Sequence, residues 1–372
     1  MEIKKLLKQL VSIPSTYPHE ANIQNCIEDL LTNEGVSYVK QKVEDSRCNI
    51  VAQKGRGNKT ISLYAHLDTV PVTDGWKTDP YKLTIQGDSA YGLGTYDMKG
   101  GMSVAIKTFL EYEPKHIKTQ LLLCVDEENI SKGGHTFMQS PLSKNLSCVI
   151  STEPAFMHGI NGIVMGRSGR AVYVVTLRTK PEHFMFYQPT IDITLHASKL
   201  IQKLQKLQID KGNGMRQFLF VRKIVTEAKG MSTPDTITLE IDAAILPPAT
   251  NESVLKRIQS IMLNILPSCI TGTVEYYKRP TPFLSPYSLK QNDAYLNALS
   301  QAVAEVTGTK AVPYFRSSVA DENIFGAAGI STLGIGPVGG NAHSPNEWVS
   351  LSSLEKLYQI LNNFLVKVDI LH

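Results

Sequence analysis

The chain has 372 residues, with 38 lysines and arginines against 34 aspartates and glutamates and a net charge of +4. That length is long for one compact core and points to two domains. The charge excess is small and dispersed, which argues against a nucleic-acid or anionic-membrane partner and favours a small-molecule enzyme.

From Met1 to Val11 leucine-type residues recur at helical spacing with lysines between them, so a surface helix is expected; the uninterrupted apolar run of a signal peptide is absent. An apolar strand then runs out into Tyr64-Ala65-His66-Leu67-Asp68-Thr69-Val70-Pro71, and further on comes Gly92-Leu93-Gly94-Thr95-Tyr96-Asp97-Met98-Lys99-Gly100-Gly101. The His66 imidazole and the Asp97 carboxylate are both good ligands for zinc-class cations. On an extended backbone Asp68 points to the same side as His66, so its carboxylate is expected to accept from the other imidazole N–H and set the tautomer. Gly92-Leu93-Gly94 and Gly133-Gly134 lack the spacing of a dinucleotide or phosphate loop and read as turns.

Gly101 to Tyr112 is helical in pattern, Thr119 to Val125 is an apolar strand ending in Asp126-Glu127-Glu128, and Cys148 to Thr152 repeats the arrangement and ends at Glu153-Pro154. Acids that cap buried strands require cations close by or full exposure, because stripping an unpaired carboxylate of water costs many kcal/mol. From Ala171 a new section begins: strand, helix (Ile191 to Leu207), strands at Phe218 to Thr226 and Thr236 to Ile245, helix (Glu252 to Ile265), and a strand at Gly272 to Tyr277. That order resembles a β-α-β-β-α-β ferredoxin-like unit. After Arg279-Pro280-Thr281-Pro282 the first domain resumes with a helix (Asp293 to Thr307), the strand Ser331 to Ile335, a second imidazole at His343 within Gly339 to Glu347, and a helix from Ser352 to Val366. The expected division is 1–167 and 280–372 for a discontinuous catalytic domain and 168–279 for the insertion. Cys26, Cys48, Cys124, Cys148 and Cys269 are odd in number and scattered, which suits free thiols in the cytoplasm. His19, His116, His135, His158 and His372 have no comparable context and read as structural or exposed.

His66-Leu67-Asp68-Thr69-Val70-Pro71, Asp97-Met98-Lys99-Gly100-Gly101, Asp126-Glu127-Glu128, Glu153-Pro154 and Ala342-His343-Ser344-Pro345-Asn346-Glu347 together resemble the M20 metallopeptidase family. That group includes acetylornithine deacetylase, succinyl-diaminopimelate desuccinylase, aminoacylase-1 and the glutamate carboxypeptidases. The resemblance runs along essentially the whole chain, including Leu10 to Ser15, and five blocks in order are far more specific than any one. It implies an α/β fold, a mixed-sheet zinc-peptidase catalytic domain with an inserted ferredoxin-like α+β lid or dimerisation domain. It implies two Zn2+ ions, replaceable by Co2+ or Mn2+, bridged by Asp97, with His66 and Glu153 on one and Glu128 and His343 on the other. Glu127 matches the general base, and the peptide bond after Asp97 is expected to be cis. The lid of such enzymes supplies a histidine to the oxyanion; His183 stands nearest to that position, with His196 as its rival.

Departures from the family pattern bear on substrate. Phe184-Met185-Phe186-Tyr187 follows His183 where relatives carry small residues and proline, and Asp192 stands where asparagine is common. Met231 replaces an asparagine, Asp242-Ala243-Ala244 lacks an arginine, and Asn323 stands where desuccinylases have one. A missing arginine removes a bidentate clamp for a carboxylate, which disfavours succinyl-diaminopimelate. Arg316 and Arg279 are candidate replacements, each read first as a surface salt-bridge partner. Glu153, in place of the aspartate usual in di- and tripeptide aminopeptidases of the family, leans toward N-acyl amino acid or carboxypeptidase chemistry. The expectation is a cytoplasmic deacylase of N-acyl amino acids, similar to acetylornithine deacetylase, with no nucleic-acid or membrane partner and with the insertion as a homodimer surface. A carboxypeptidase or dipeptidase acting on short peptides is the second reading, and a non-catalytic metal-holding binding protein the third; the intact Glu127 argues against the latter.

Overall fold

In the computed structural model, which describes residues 2–154, 156–212 and 215–371, the chain forms two compact units. The first takes Met1–Gly166, Leu289–Tyr314 and Ala320–His372; the second takes Arg167–Ser288 and Phe315–Val319. The insertion thus runs past the proline-marked stretch to Ser288 and takes back the short segment Phe315–Val319.

In the first unit, near-continuous apolar runs form strands buried on both faces, as parallel strands require. Thr60–His66 is buried throughout and lies between Lys118–Cys124 and Leu146–Ser151, parallel to both; Ser331–Gly334 adds in parallel beside Leu146–Ser151. Tyr38–Glu44 and Arg47–Gly55 extend the sheet antiparallel on the Lys118–Cys124 side, and Gly162–Arg167 runs antiparallel on the other. The register pairs His66 with Cys124 and Tyr64 with Ser151, so the four parallel strands end together. The loops that follow carry Asp68, Glu127, Glu128 and Glu153, at the end where open α/β sheets place ligands.

Helix Gly100–Glu111 packs on Thr60–His66 and Lys118–Cys124, and Leu351–Leu371 packs on it and on Ala294–Thr307. Close approach is possible because position 101 is glycine: a Cβ there would lie 2.1 Å from the Thr152 carbonyl oxygen. The expected surface helix, Ile3–Val11, buries Ile3, Leu6, Leu7, Leu10 and Val11 and is part of the core, its lysines occupying the wet face. At roughly 1.5–3 kcal/mol per buried large apolar side chain, that face is a substantial anchor. Asp369, near the end of the last helix, accepts from the backbone N–H groups of Lys115, His116 and Ile117 and from the Tyr112 hydroxyl.

The second unit is an antiparallel sheet in which Thr236–Ile245 lies between Arg216–Thr226 and Gly169–Arg178, with Thr271–Tyr276 beyond the latter. Helices Ile193–Gln205 and Asn251–Leu263 cover one face through Leu200, Leu204, Ile258 and Met262 against Val175, Leu239 and Ile241. Asp192 caps the first helix, accepting from Thr194 and Leu195 N–H, and Thr250 with Ser253 forms a capping box on the second. No helix among the described residues is long and apolar enough to cross a membrane.

Candidate metal centre

His66 ends the central strand and is wholly buried. Its Nε2 lies 3.3 Å from Asp97 Oδ1 and 3.2 Å from Glu153 Oε1. Nε2 of His343 lies 3.3 Å from the other Asp97 oxygen, Oδ2, and 2.9 Å from Glu128 Oε1. The two oxygens of Asp97 therefore each face one imidazole. Ligand atoms of His66, Asp97 and Glu128 come within 4.8 Å of one another, as do those of His66, Glu127 and Glu153. The side chain of His343 is half exposed, so the buried cluster opens to water on that side. The Asp97–Met98 peptide bond is cis.

The expected contact between the Asp68 carboxylate and His66 is corrected. His66 Nδ1 is 2.9 Å from the Asp68 backbone carbonyl but 3.6 Å from its Oδ1, too long for a hydrogen bond. The carboxylate turns instead to the N–H groups of Glu127, at 3.2 Å, and Glu128, at 2.9 Å. The Asp68 carbonyl still sets the tautomer, because a carbonyl only accepts and the proton must sit on Nδ1. Nε2 then faces two carboxylate oxygens, of Asp97 and Glu153, which outweigh burial and raise the imidazole well above its ordinary value.

That arrangement tests whether cations fit. Four carboxylates, Asp97, Glu127, Glu128 and Glu153, converge on two imidazoles. Even two imidazolium ions would leave excess negative charge in a water-poor site. The nitrogen and oxygen donors suit zinc-class divalent ions, and the residues present fit the group. The electrostatics agree in direction. Burial raises Glu127 well above the ordinary carboxyl value, with Glu153 adding to it, and burial, with Asp97, raises Glu153 to about 7. For Asp97 burial acts upward, but His343 and His66 outweigh it and hold the group well below its usual value. Asp97 and Glu128 in turn raise His343 to about 10.

Asp126 differs from its neighbours. Its side chain turns to Arg47, whose Nη2 lies 2.7 Å from Asp126 Oδ1 and 2.7 Å from Glu20 Oε1, with Nε 2.9 Å from Glu20 Oε2. The arginine lies far away in sequence and no motif marks it. Two further groups had no role assigned from the sequence: Glu347, whose carboxylate accepts from the backbone at Gly94, Tyr96 and Asp97, and Asp321, which accepts from the Tyr64 hydroxyl at 2.8 Å.

In the second unit His183 is exposed, stacked on Phe184 with ring centroids 4.8 Å apart, and its Nδ1 accepts from Met185 N–H. His196 is buried, with Nε2 3.1 Å from the Thr190 carbonyl. Ala244 pairs across the sheet with Arg170, whose guanidinium is engaged by Asp242 through Nε at 3.1 Å and Nη2 at 2.7 Å. Arg279 donates to Thr281 and lies over the Phe283 ring. Among the other histidines, His158 meets the Tyr314 ring edge to face, and His372 lies outside the described residues.

The similarities of the whole chain agree with this geometry. Over 382 residues it is 28% identical to succinyl-diaminopimelate desuccinylase of Shewanella piezotolerans, covering 97% of each chain. Its fold is similar to that of aminopeptidase PepT from Bacillus cereus, with a TM-score of 0.76 at 17% identity over 99% of this chain and 98% of that one. It is also similar to Bacillus subtilis YXEP, described as a dinuclear metal binding peptidase from the M20 family, with a TM-score of 0.74 at 16% identity over 98% and 97%. Residues 62–367 match Peptidase family M20/M25/M40, and with its candidate metal ligands brought together beyond the strand ends the chain belongs to that family as a metal-dependent amide hydrolase.

Proposed function

We propose that the protein removes the acyl group from an N-acyl amino acid, in the manner of acetylornithine deacetylase, at a site holding two zinc ions for which cobalt or manganese can substitute. The observation that carries this reading is Asp97, whose two oxygens meet His66 and His343 separately. His66, Asp97 and Glu153 would hold one ion, and Asp97, Glu128 and His343 the other. When bound there, such cations supply Lewis acidity to an amide carbonyl and acidity to a water.

The chain's own residues do the rest. Glu127, grouped with His66 and Glu153, accepts a proton from the attacking water and delivers it to the leaving amine. Asp68 holds the backbone of Glu127 and Glu128 through its carboxylate and the His66 tautomer through its carbonyl. His183 carries its proton on Nε2, because Nδ1 accepts from Met185, and we assign that N–H to the oxyanion of the tetrahedral intermediate.

A second carboxylate on the substrate is disfavoured, although the curated relative is a desuccinylase. Asn323 Oδ1 is engaged by Ala320 N–H, and Arg170, opposite Ala244, is tied to Asp242. A homodimer through the second unit is supported by the outer edge of Arg216–Thr226, where Phe218, Phe220, Ile224 and Val225 are exposed. Free thiols at all five cysteines support a cytoplasmic setting.

The test is turnover by zinc- or cobalt-loaded protein on acetylornithine, acetyl-methionine, succinyl-diaminopimelate and a dipeptide panel. Fastest hydrolysis of an acetyl amino acid is expected. Turnover of dipeptides alone would make it a dipeptidase, and tight binding without hydrolysis would make it a binding protein. Glu127→Gln is expected to retain its metal and lose about 10²–10⁴-fold in kcat.

A further inference from the structure

The segments bearing Asp97 and His343 are remote in the chain, and one side chain meets the first while rooted in the second. Glu347 is 1% exposed. Its Oε2 accepts the N–H of Gly94 at 2.7 Å, and its Oε1 accepts those of Tyr96 and Asp97, both at 2.8 Å. Its own carbonyl accepts Gly92 N–H at 3.1 Å. A carboxylate stays buried only with such donors around it, and here all of them belong to the loop that presents Asp97.

On its other side Glu347 closes the loop of His343. Gly339 pairs with Val349 and Gly340 with Trp348, leaving a short connection in which Asn341 Nδ2 donates to the Asn346 carbonyl at 3.1 Å. Asn341, His343 and Asn346 have φ of 59°, 59° and 61°. Left-handed backbone at non-glycine residues persists only where the surroundings hold it. The hairpin root therefore has to be anchored, and Glu347 is the residue at that root whose side chain reaches the opposite ligand loop.

We propose that Glu347 is a positioning residue that locks the Asp97 loop to the His343 hairpin, so that each oxygen of Asp97 meets its own imidazole. The inference rests on the two-metal reading above. A glutamine at this position keeps one acceptor oxygen for Tyr96 and Asp97 but turns an amide N–H₂ toward the Gly94 N–H, donor against donor.

Zinc affinity, measured by competition with a chromophoric chelator, is to be compared for wild type, Glu347→Gln and Asp369→Asn, together with apo melting temperature, kcat and KM. Asp369 serves as the control because it too is a buried carboxylate bonded to several backbone N–H groups, but on the last helix. Glu347→Gln is expected to lower zinc affinity about 10–100-fold and to lower kcat more than it changes KM, whereas Asp369→Asn melts earlier with wild-type zinc affinity. Wild-type zinc affinity and kcat in Glu347→Gln would overturn the inference. So would an equal loss of affinity in Asp369→Asn, since general destabilisation would then account for both. If the glutamine variant does not fold, Glu347→Asp, which keeps the charge on a shorter arm, takes the same measurements with a loss of zinc affinity expected and wild-type affinity overturning the inference. A wild type that holds no zinc tightly removes the two-metal reading itself, and the role of Glu347 with it.

Discussion

Arg47 is 2% exposed and lies between Glu20 and Asp126, with Glu44 3.2 Å from its Nη1 and the Tyr17 ring 4.4 Å from its guanidinium carbon. Its planar fork serves two carboxylates at once, which a lysine ammonium cannot do with the same geometry. Because Asp126 immediately precedes Glu127, the arginine governs where Glu127 and Glu128 emerge from the strand end. Removing one partner of a buried ionic group leaves the others uncompensated. Arg47→Met is therefore expected to lower stability by about 3–5 kcal/mol in chemical denaturation. Arg47→Lys should fold better than the methionine variant and still turn over more slowly than wild type, because one of the two carboxylates loses its fork.

At the scale of elements, the packing of helix Gly100–Glu111 against the strand ends depends on the bare backbone at Gly101. Gly101→Ala is expected to destabilise by roughly 1–3 kcal/mol through overpacking against Thr152, next to Glu153, with a matching fall in melting temperature. The last helix is tied by Asp369. Burial acts to raise that carboxyl group, but the N–H groups of Lys115 and His116, the Tyr112 hydroxyl and the Ile117 N–H outweigh it and hold it below the ordinary value of 3.8. A depressed folded pKa contributes stability that is complete above the unfolded value and is lost as pH falls through the folded one. Asp369→Asn should thus melt well below wild type at neutral pH, and the gap should narrow as pH drops from about 4 toward 2. A gap that stays constant across that range would mean that the charge contributes nothing.

At the scale of the whole molecule, buried carboxylates from separate loops repel one another until a cation joins them. Chelation is expected to lower the melting temperature, and re-addition of zinc to restore it. Ligand linkage gives about 2.7 kcal/mol when free zinc is a hundredfold above its dissociation constant. No response to chelator would contradict the metal reading even if the fold is intact.

Much of this architecture was legible in the chain. Alternating apolar runs and helical spacing marked the parallel strands, because a strand buried on both faces must be apolar throughout, as Thr60–His66 is. The β-α-β-β-α-β order of the insertion was readable for the same reason, with Thr236–Ile245 falling where the pattern puts it. His66, Asp97, Glu127, Glu128, Glu153 and His343 stood out because imidazoles and carboxylates at strand ends and in glycine-rich loops serve no packing purpose.

What only the tertiary structure decided are the contacts between residues that sequence spacing does not relate. Local geometry suggested that Asp68 would serve His66 through its carboxylate, yet the N–H groups of Glu127 and Glu128 compete for that carboxylate and take it. Arg47 has no signature of its own, since an arginine in a strand is ordinary on any surface, and the block that contains Glu347 does not say which backbone groups its carboxylate meets. The chain by itself determined which groups are candidates for chemistry and the elements that carry them, through periodicity and residue type. Folding decided which buried charges pair and which loops are held together, because burial makes every donor and acceptor find a partner in three dimensions.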